Sequence, residues 1–341
     1  SSDLATPDVV RRALADASDA HGYPQTYGTP ALRQAVADWF ARRRSATIDP
    51  AGVLPTVGSK ELVGLLPAML GLGAGDTVVL PRVAYPTYAI GARLAGAEML
   101  ATDDVADWAD RPDVKLVWVN SPGNPHGAVA TVDELRAVVA AARRTGALVV
   151  SDECYAELPW VEPFVRDGVP SLLDPRVCDG DLTGLLVTYS LSKQSNMAGY
   201  RAAFVAGDPA VVRDLLALRK QIGLIVPAPV QAAMTAALAD DAHVADQRET
   251  YRRRREILVP ALTDAGFVID LSEAGLYLWT RRPDRAGDCW GLVDWFAERG
   301  VLVAPGAFYG EDGARHVRIS LTASDERVRA AADRLRGSAV A

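Results

Sequence analysis

The feature that most constrains the fold is a repeated order of short apolar run, polar turn and amphipathic helix. Apolar runs cover residues 53–57, 77–80, 115–120, 147–151 and 184–189, and helical patterns follow several of them. Buried strands that alternate with helices are typical of a parallel sheet covered by helices. We therefore predict an α/β protein with a mostly parallel sheet.

The last third of the sequence has a different organisation. A long helical stretch with one break runs from about residue 230 to 262, and an alternating segment, a helix, short strands and a final helix follow. This order is typical of a smaller α+β domain. We place the large domain at residues 1–235 and the small domain at 236–341. The arginine run at 252–255 is expected to be a solvated helix face near this boundary.

Polar side chains follow the predicted strands where each strand ends. Asn124 comes after 115–120, Asp152 and Tyr155 come after 147–151, and Lys193 comes after 184–189. Ligands of open α/β sheets bind at the carboxyl ends of the strands. Each residue alone could be an ordinary turn or helix cap, but together they indicate a site at one edge of the sheet.

The turn after residue 189 carries Ser190, Ser192 and Lys193, and Arg201 follows eight residues after the lysine. A lysine amine can attack a carbonyl, and hydroxyl and guanidinium groups can hold a phosphate beside it. Taken alone, Lys193 is better explained as an ordinary exposed surface lysine. The chain has only four lysines, however. Lys115 lies at a strand start, Lys220 lies late on a helix and Lys60 belongs to another candidate anion-binding turn, which leaves Lys193 as the candidate amine.

A second anion-binding feature is the turn Gly58-Ser59-Lys60, between the run 53–57 and a helix. The unpaired N–H groups and the dipole of a helix N-terminus attract a phosphate. An ordinary helix cap has the same local pattern, and the turn by itself favours that simpler interpretation.

Composition excludes several classes of function. The formal net charge is −7 and no basic stripe occurs, which argues against a nucleic-acid partner. Three cysteines without a CxxC pair indicate a reduced compartment, and four histidines without ligand spacing argue against a metal site. No apolar run approaches the ~18 residues of a membrane span, and no secretory signal opens the chain. We therefore expect a cytoplasmic protein without a membrane partner.

Together these motifs resemble the fold-type I, class I and II pyridoxal-phosphate aminotransferases, over nearly the whole chain. The resemblance implies a three-layer αβα large domain and a smaller α+β C-terminal domain. Within that superfamily the chain is most similar to actinobacterial N-succinyldiaminopimelate aminotransferases. The stretches that carry this closer likeness are PTVGSKELVGLLP, VNSPGNPHG, VVSDECYAEL, GLLVTYSLSKQSNMAGYRAAFVAGD and SEAGLYLW.

The resemblance also implies roles for residues around the cofactor ring. Lys193 would form the Schiff base with pyridoxal 5'-phosphate and would later move the substrate α-proton. Asp152 would face the pyridine nitrogen, and Tyr155 and Asn124 would bond the 3′ oxygen of the ring. Tyr85 would stack on the ring face.

The family pattern places the phosphate and the substrate as well. The residues implied for the phosphate are Gly58, Ser59, Lys60, Ser190, Ser192 and Arg201. Tyr23 would reach the phosphate of the partner subunit, which implies a homodimer with shared active sites. Arg318 would grip the substrate α-carboxylate, next to Asn124. A glycine-containing strand that lines this site in the family would precede the first helix, so we expect it outside this sequence or replaced.

The implied reaction moves an amino group between the glutamate/2-oxoglutarate pair and N-succinyl-2-amino-6-ketopimelate, in lysine (diaminopimelate) biosynthesis. Another amino-acid substrate, or a β-lyase reaction with the same cofactor, is an alternative. Two further alternatives are a cofactor-sensing domain of a transcription regulator and a binding protein without a cofactor.

Overall fold

A computed structural model describes residues 3–283 and 287–337. A seven-stranded sheet forms the centre of the larger part of the molecule, and a four-stranded antiparallel sheet forms the centre of the smaller part. Residues 338–341, at the end of the predicted small domain, lie outside the described residues.

The large sheet has the order β1-β7-β6-β5-β4-β2-β3. Strand β7 is antiparallel to both of its neighbours, and the remaining pairs are parallel. The strands are β1 (Val53–Val57), β2 (Thr77–Leu80), β3 (Glu98–Ala101), β4 (Val114–Asn120), β5 (Leu148–Asp152), β6 (Leu185–Ser190) and β7 (Ala202–Gly207). The prediction of an α/β fold with a mostly parallel sheet is confirmed.

Helices pack against this sheet. They are α1 (Asp8–Asp16), α2 (Pro30–Arg43), α3 (Ser59–Met69), α4 (Thr87–Ala95), α5 (Val132–Thr145), α6 (Phe164–Asp167), α7 (Pro175–Cys178), α8 (Leu191–Gln194), α9 (Pro209–Ile222) and α10 (Ala228–Ala239). Their starts follow local chemistry: Thr29 caps α2, and Thr131 with Glu134 forms a capping box at α5. Helix α3 begins at Ser59, directly after Gly58.

The C-terminal part begins after a break at Asp240, inside the long predicted helical stretch. Its elements are α11 (Ala242–Asp264), β8 (Val268–Ile269), β9 (Tyr277–Arg281), α12 (Cys289–Ala297), β10 (Ala304–Pro305), β11 (Val317–Ser320) and α13 (Asp325–Arg336). Helix α10 packs on α1 and α2, whereas α11 packs on α13. The division of the chain at residue 235 stays a prediction.

The large core explains why the strands form where they do. Strands β5, β6 and β7 are buried along their whole length, as expected for a sheet with helices on both faces. Asp152 lies opposite Asn120 on one side and Thr188 on the other. The carboxyl ends of β4, β5 and β6 therefore lie level at one edge.

The arginine run on α11 differs from its prediction. Arg252 and Arg253 are exposed, but the Arg254 side chain is only 2 % exposed and binds Asp3 and Asp325. The expectation of a fully solvated face is thus wrong at Arg254, because carboxylates from distant segments compensate its charge. Across residues 3–283 and 287–337, no helix has the length and apolar character needed to cross a membrane.

Candidate active site

The lysine turn lies directly at the end of β6. The Ser190 hydroxyl accepts a hydrogen bond from the Ser192 N–H at 3.2 Å and donates one to the Ser192 hydroxyl at 2.8 Å. This cap starts the single helical turn α8, which carries Lys193 in a half-buried position. The turn therefore presents an amine at the edge of the sheet, beside two hydroxyl groups.

A buried polar network fixes the back of this turn. Tyr189 donates to Gln194, which donates to the Ser195 hydroxyl. That hydroxyl lies 2.7 Å from His243 Nε2, and His243 Nδ1 lies 3.1 Å from an Asp240 carboxylate oxygen. The residue types are those of a hydrolase triad, but Ser195 is completely buried and cannot reach a substrate. We assign the network to holding the lysine turn against α11.

The start of α3 forms an anion cradle with Arg201. Gly58 has φ of +77°, and its N–H donates to the Arg201 carbonyl at 2.8 Å. A β-carbon at Gly58 would overlap the Arg201 guanidinium, so glycine lets that group lie against the helix start. Ser59 and Lys60 are the first residues of α3, where backbone N–H groups have no partner within the helix. This arrangement suits a phosphate.

Asp152 is buried at the end of β5 and has two donors from other residues. The Tyr88 hydroxyl donates to it at 3.0 Å and the Cys154 N–H donates at 3.2 Å. Burial raises the pKa of Asp152, while hydrogen bonds from Cys154 and Tyr88 and the charge of Lys193 oppose that rise. A carboxylate in this position would stabilise a positive group placed against it.

Tyr85 forms an aromatic wall next to Asp152. Its ring packs edge-on against Tyr88 at 5.9 Å, and Tyr88 stacks on Trp118 at 4.9 Å. The Lys60 amine lies 5.7 Å from the centre of the Tyr85 ring. Lys60 is exposed, so its side chain lies at the rim of the site while its N–H belongs to the cradle.

The substrate side of the site is built around Arg318 on β11. Its guanidinium donates to the Asn124 side-chain oxygen at 2.9 Å and lies 3.9 Å above the ring of Tyr277. Arg318 Nε is buried and has no hydrogen-bond partner among the described residues. An unsatisfied guanidinium nitrogen in this position suits a carboxylate, which accepts two parallel bonds from arginine.

Tyr155 connects this group to the lysine. Its ring centre lies 5.7 Å from the Lys193 amine, and its hydroxyl donates to the Tyr277 hydroxyl at 3.3 Å. Burial raises the pKa of Tyr155 well above its usual value. The predicted site residues thus form one connected group, with one exception: Tyr23 is fully exposed on a loop, and among the contacts of the described residues none joins it to this group.

Sequence reasoning missed Tyr88, Cys154 and Tyr277. Tyr88 comes three residues after Tyr85, and at the start of a helix that spacing brings both rings to one side. Cys154 follows Asp152 by two residues, and its N–H donates to that carboxylate. Tyr277 is the half-buried first residue of β9 and is followed by three buried residues, which is a signal only once the site is known to lie there.

The comparison with protein families decides the identity. The model of the family described as "Aminotransferase class I and II" matches residues 1–335. The chain belongs to this family. The aminotransferase is 56 % identical to the 4-dedimethylamino-4-oxo-anhydrotetracycline transaminase OxyQ of Streptomyces rimosus, over 97 % of this chain and 90 % of that protein. It is 54 % identical to the probable aminotransferase Rv1178 of Mycobacterium tuberculosis, over 96 % of this chain and 76 % of that protein.

The chain is also similar to more distant aminotransferases. The aminotransferase is 33 % identical to the LL-diaminopimelate aminotransferase of Dehalococcoides mccartyi, over 96 % of this chain and 86 % of that protein. A Thermus thermophilus aspartate aminotransferase variant has the same fold, with a TM-score of 0.87, 28 % identity, and 99 % and 89 % of the two chains covered. The predicted family is confirmed, but these relatives do not support the predicted N-succinyldiaminopimelate specificity.

Enzymes of this family depend on pyridoxal phosphate, and the residues of this aminotransferase fit that cofactor. The Gly58 cradle with Arg201 suits its phosphate, and the buried Asp152 carboxylate suits a protonated ring nitrogen. Lys193 supplies the amine between these two ends. In the parts of the chain that the structure describes, no group of three or more His, Cys, Asp or Glu residues could hold a metal ion.

Proposed function

We propose that this aminotransferase moves an amino group from an α-amino acid, with glutamate as the first candidate, to a keto acid. The observation that carries the proposal is Arg318, which is held by Asn124 and has a buried nitrogen free for a carboxylate. Pyridoxal phosphate, when bound, would supply the aldehyde that takes up the amine and a ring that accepts electrons.

The proposed roles of the protein groups follow from their positions. Lys193 holds the cofactor and then moves the proton released at the α-carbon of the donor. Asp152 keeps a positive charge at the ring nitrogen, and Tyr155 and Asn124 bind the oxygen at the ring edge. Arg318 orients the donor by its α-carboxylate, as a planar guanidinium binds a carboxylate through two bonds.

The first candidate acceptor is N-succinyl-2-amino-6-ketopimelate, which the sequence resemblance implies. Its α-keto acid end carries the carboxylate that Arg318 suits. A second candidate is a ring ketone of a polycyclic compound, favoured by the 56 % identity to OxyQ, whose name gives a 4-oxo-anhydrotetracycline as its substrate. Such a ketone has no α-carboxylate, so its binding would depend less on Arg318.

The central assignment is tested with Lys193→Ala and with Lys220→Ala as a matched control, since Lys220 is exposed on α9. After incubation with pyridoxal phosphate, wild type and Lys220→Ala should gain a visible absorbance that borohydride fixes to the chain. Lys193→Ala should gain none and should lose transamination by at least about 10³-fold. A borohydride-fixed chromophore in Lys193→Ala would refute the assignment.

To identify the acceptor, wild type and Lys220→Ala are incubated with glutamate as donor and with each member of a panel of acceptors. The panel contains N-succinyl-2-amino-6-ketopimelate, pyruvate and a polycyclic ketone, and 2-oxoglutarate release is measured. Release of ammonia and pyruvate from cystathionine would instead indicate the β-lyase alternative. Arg318→Ala should reduce the rate with α-keto acids by about 10²-fold, since it removes a charged bond.

We also propose a homodimer in which Tyr23 reaches the phosphate site of the partner subunit. The support is the family resemblance, together with the position of Tyr23 on its loop, where it is fully exposed and accessible to a second copy of the chain.

A further inference from the structure

Tyr277 lies between the two ends of the candidate site and contacts both. Its ring lies under the Arg318 guanidinium at 3.9 Å, and its hydroxyl accepts the hydrogen bond of Tyr155 at 3.3 Å. The rings of Tyr155 and Tyr277 also pack edge-on, with 5.6 Å between their centres. One side chain therefore contacts the group that suits a substrate carboxylate and the phenol next to the lysine.

We propose that Tyr277 is a positioning residue that couples carboxylate binding at Arg318 to the hydrogen bond that Tyr155 offers at the cofactor ring. The inference rests on the proposed function, because it assigns the carboxylate to Arg318 and the ring oxygen to Tyr155. It adds a connection between Arg318 and Tyr155 through Tyr277, to which the proposed function gives no role in binding the substrate or the cofactor.

The physical argument starts from the single proton of a phenol. Tyr155 has one O–H to donate, and in this structure it donates that proton to Tyr277. To bond a ring oxygen, Tyr155 must turn this donor away from Tyr277. The share of the donor that the ring oxygen receives thus depends on how strongly the Tyr277 oxygen accepts it.

Arg318 sets that acceptor strength. Burial opposes ionisation of Tyr277, but the nearby charges of Lys193 and Arg318 and the hydrogen bond from Tyr155 outweigh it and lower the pKa of Tyr277. A carboxylate on Arg318 neutralises one of these charges and competes for its N–H donors. The pKa of Tyr277 then rises and its oxygen becomes a stronger acceptor for the Tyr155 proton, so less of that donor is offered to the ring oxygen.

Other groups that face Tyr277 do not replace this link. The titratable or charged groups around it are Tyr155, Lys193, Arg318 and Tyr309. The Tyr309 ring also lies near Arg318, at 5.1 Å, but it has no hydrogen bond to Tyr155 among the described contacts. Burial raises the pKa of Tyr309 to about 12, so it ionises after Tyr277. Tyr309→Phe is therefore a matched control for Tyr277→Phe.

The first experiment follows tyrosinate formation by ultraviolet absorbance in the protein without cofactor, with and without a non-reactive dicarboxylate such as succinate. In wild type and Tyr309→Phe, the pH midpoint of the phenol that ionises first should rise by about 0.5 or more when the carboxylate binds. Tyr277→Phe should lack that phenol and its shift. An unchanged titration in Tyr277→Phe would overturn the proposal.

The second experiment uses the visible absorbance of the protein loaded with pyridoxal phosphate. The carboxylate should move the pH midpoint of that absorbance in wild type and in Tyr309→Phe, and the movement should fall by at least half in Tyr277→Phe. Tyr277→Phe keeps the ring under Arg318, so a purely packing role predicts no change. An equal movement in Tyr277→Phe would show that Asn124 alone carries the coupling and would overturn the proposal.

The outcomes separate this inference from the proposed function. If no visible absorbance forms on incubation with pyridoxal phosphate, the proposed function fails, and the titration of the cofactor-free protein still decides the role of Tyr277. If the absorbance forms and only the coupling is missing, the proposed function stands and this inference fails.

Discussion

Gly58 is the residue whose replacement tests the anion cradle most directly. A β-carbon at this position would overlap the Arg201 guanidinium, which must then leave the N-terminus of α3. We expect Gly58→Ala to weaken the binding of pyridoxal phosphate by about tenfold or more, because one charge-assisted contact to the phosphate is lost. Equilibrium dialysis of the cofactor against the purified variant measures this change.

The control for this substitution is Gly71→Ala. Gly71 has φ of +73°, close to the +77° of Gly58, but nothing lies within 4 Å of a β-carbon there. Gly71→Ala should lose about 1 kcal/mol of stability from its positive φ. Gly58→Ala should lose more, because with ψ of +155° Gly58 lies in a region that essentially only glycine adopts. A cofactor affinity of Gly58→Ala that is no lower than that of Gly71→Ala would contradict the role of Arg201 in the cradle.

Residues within one segment were predictable, whereas partners from distant segments were not. Ser190, Ser192 and Lys193 share a single turn, so their spacing in the sequence already places them together. Tyr88 reaches Asp152 across 64 positions, and Tyr277 reaches Tyr155 across 122. Such contacts depend on how the sheet and the smaller part of the molecule assemble, and a single sequence carries no direct signal for that.

Among the elements, the single-turn helix α8 is too short to be stable by itself. Its position depends on the bond between Ser195 and His243, which joins it to the start of α11 at 2.7 Å. Strands β1, β2, β4, β5 and β6 were predictable because each is a compact apolar run, and α5 was predictable from its capping box, whereas the mostly exposed β3 was not predicted. The tie between α8 and α11 was not, since neither residue lies in a recognisable motif.

His243→Ala tests whether this tie stabilises the lysine turn. The substitution leaves the buried Ser195 hydroxyl without one of its partners, and we expect the free energy of unfolding to fall by about 1–2 kcal/mol. Denaturant unfolding measures the change. His21→Ala is the control, because the His21 side chain is 94 % exposed and should shift stability by less than about 0.5 kcal/mol. A loss in His243→Ala no larger than this would contradict the assigned role.

In the molecule as a whole, Arg254 joins three segments that are far apart in the sequence. Its guanidinium binds Asp3 near the N-terminus at 2.8 Å, Asp325 at the start of α13 at 2.7 Å, and the Leu321 carbonyl at 3.1 Å. The sequence shows only four consecutive arginines, and their pattern cannot tell which one meets carboxylates. The fold decides this, because Arg254 is the one of these four arginines that is fully buried on the face of α11 that packs on α13.

Arg254→Met should therefore destabilise the protein more than the same change at its neighbour Arg252. The Asp3 and Asp325 side chains keep 30 % and 43 % exposure, so water partly compensates them and the loss should be about 1–3 kcal/mol, less than for a fully buried pair. Arg252 is 48 % exposed and pairs with Glu249 and Glu256 on its own helix, which predicts a loss within about 0.5 kcal/mol.

Unfolding in denaturant at two salt concentrations distinguishes the exposed ion pairs of Arg252 from the buried ones of Arg254. The Arg252 effect should shrink at high salt and the Arg254 effect should persist, since buried pairs are screened much less. Equal losses for the two variants would mean that Arg254 is only another surface arginine.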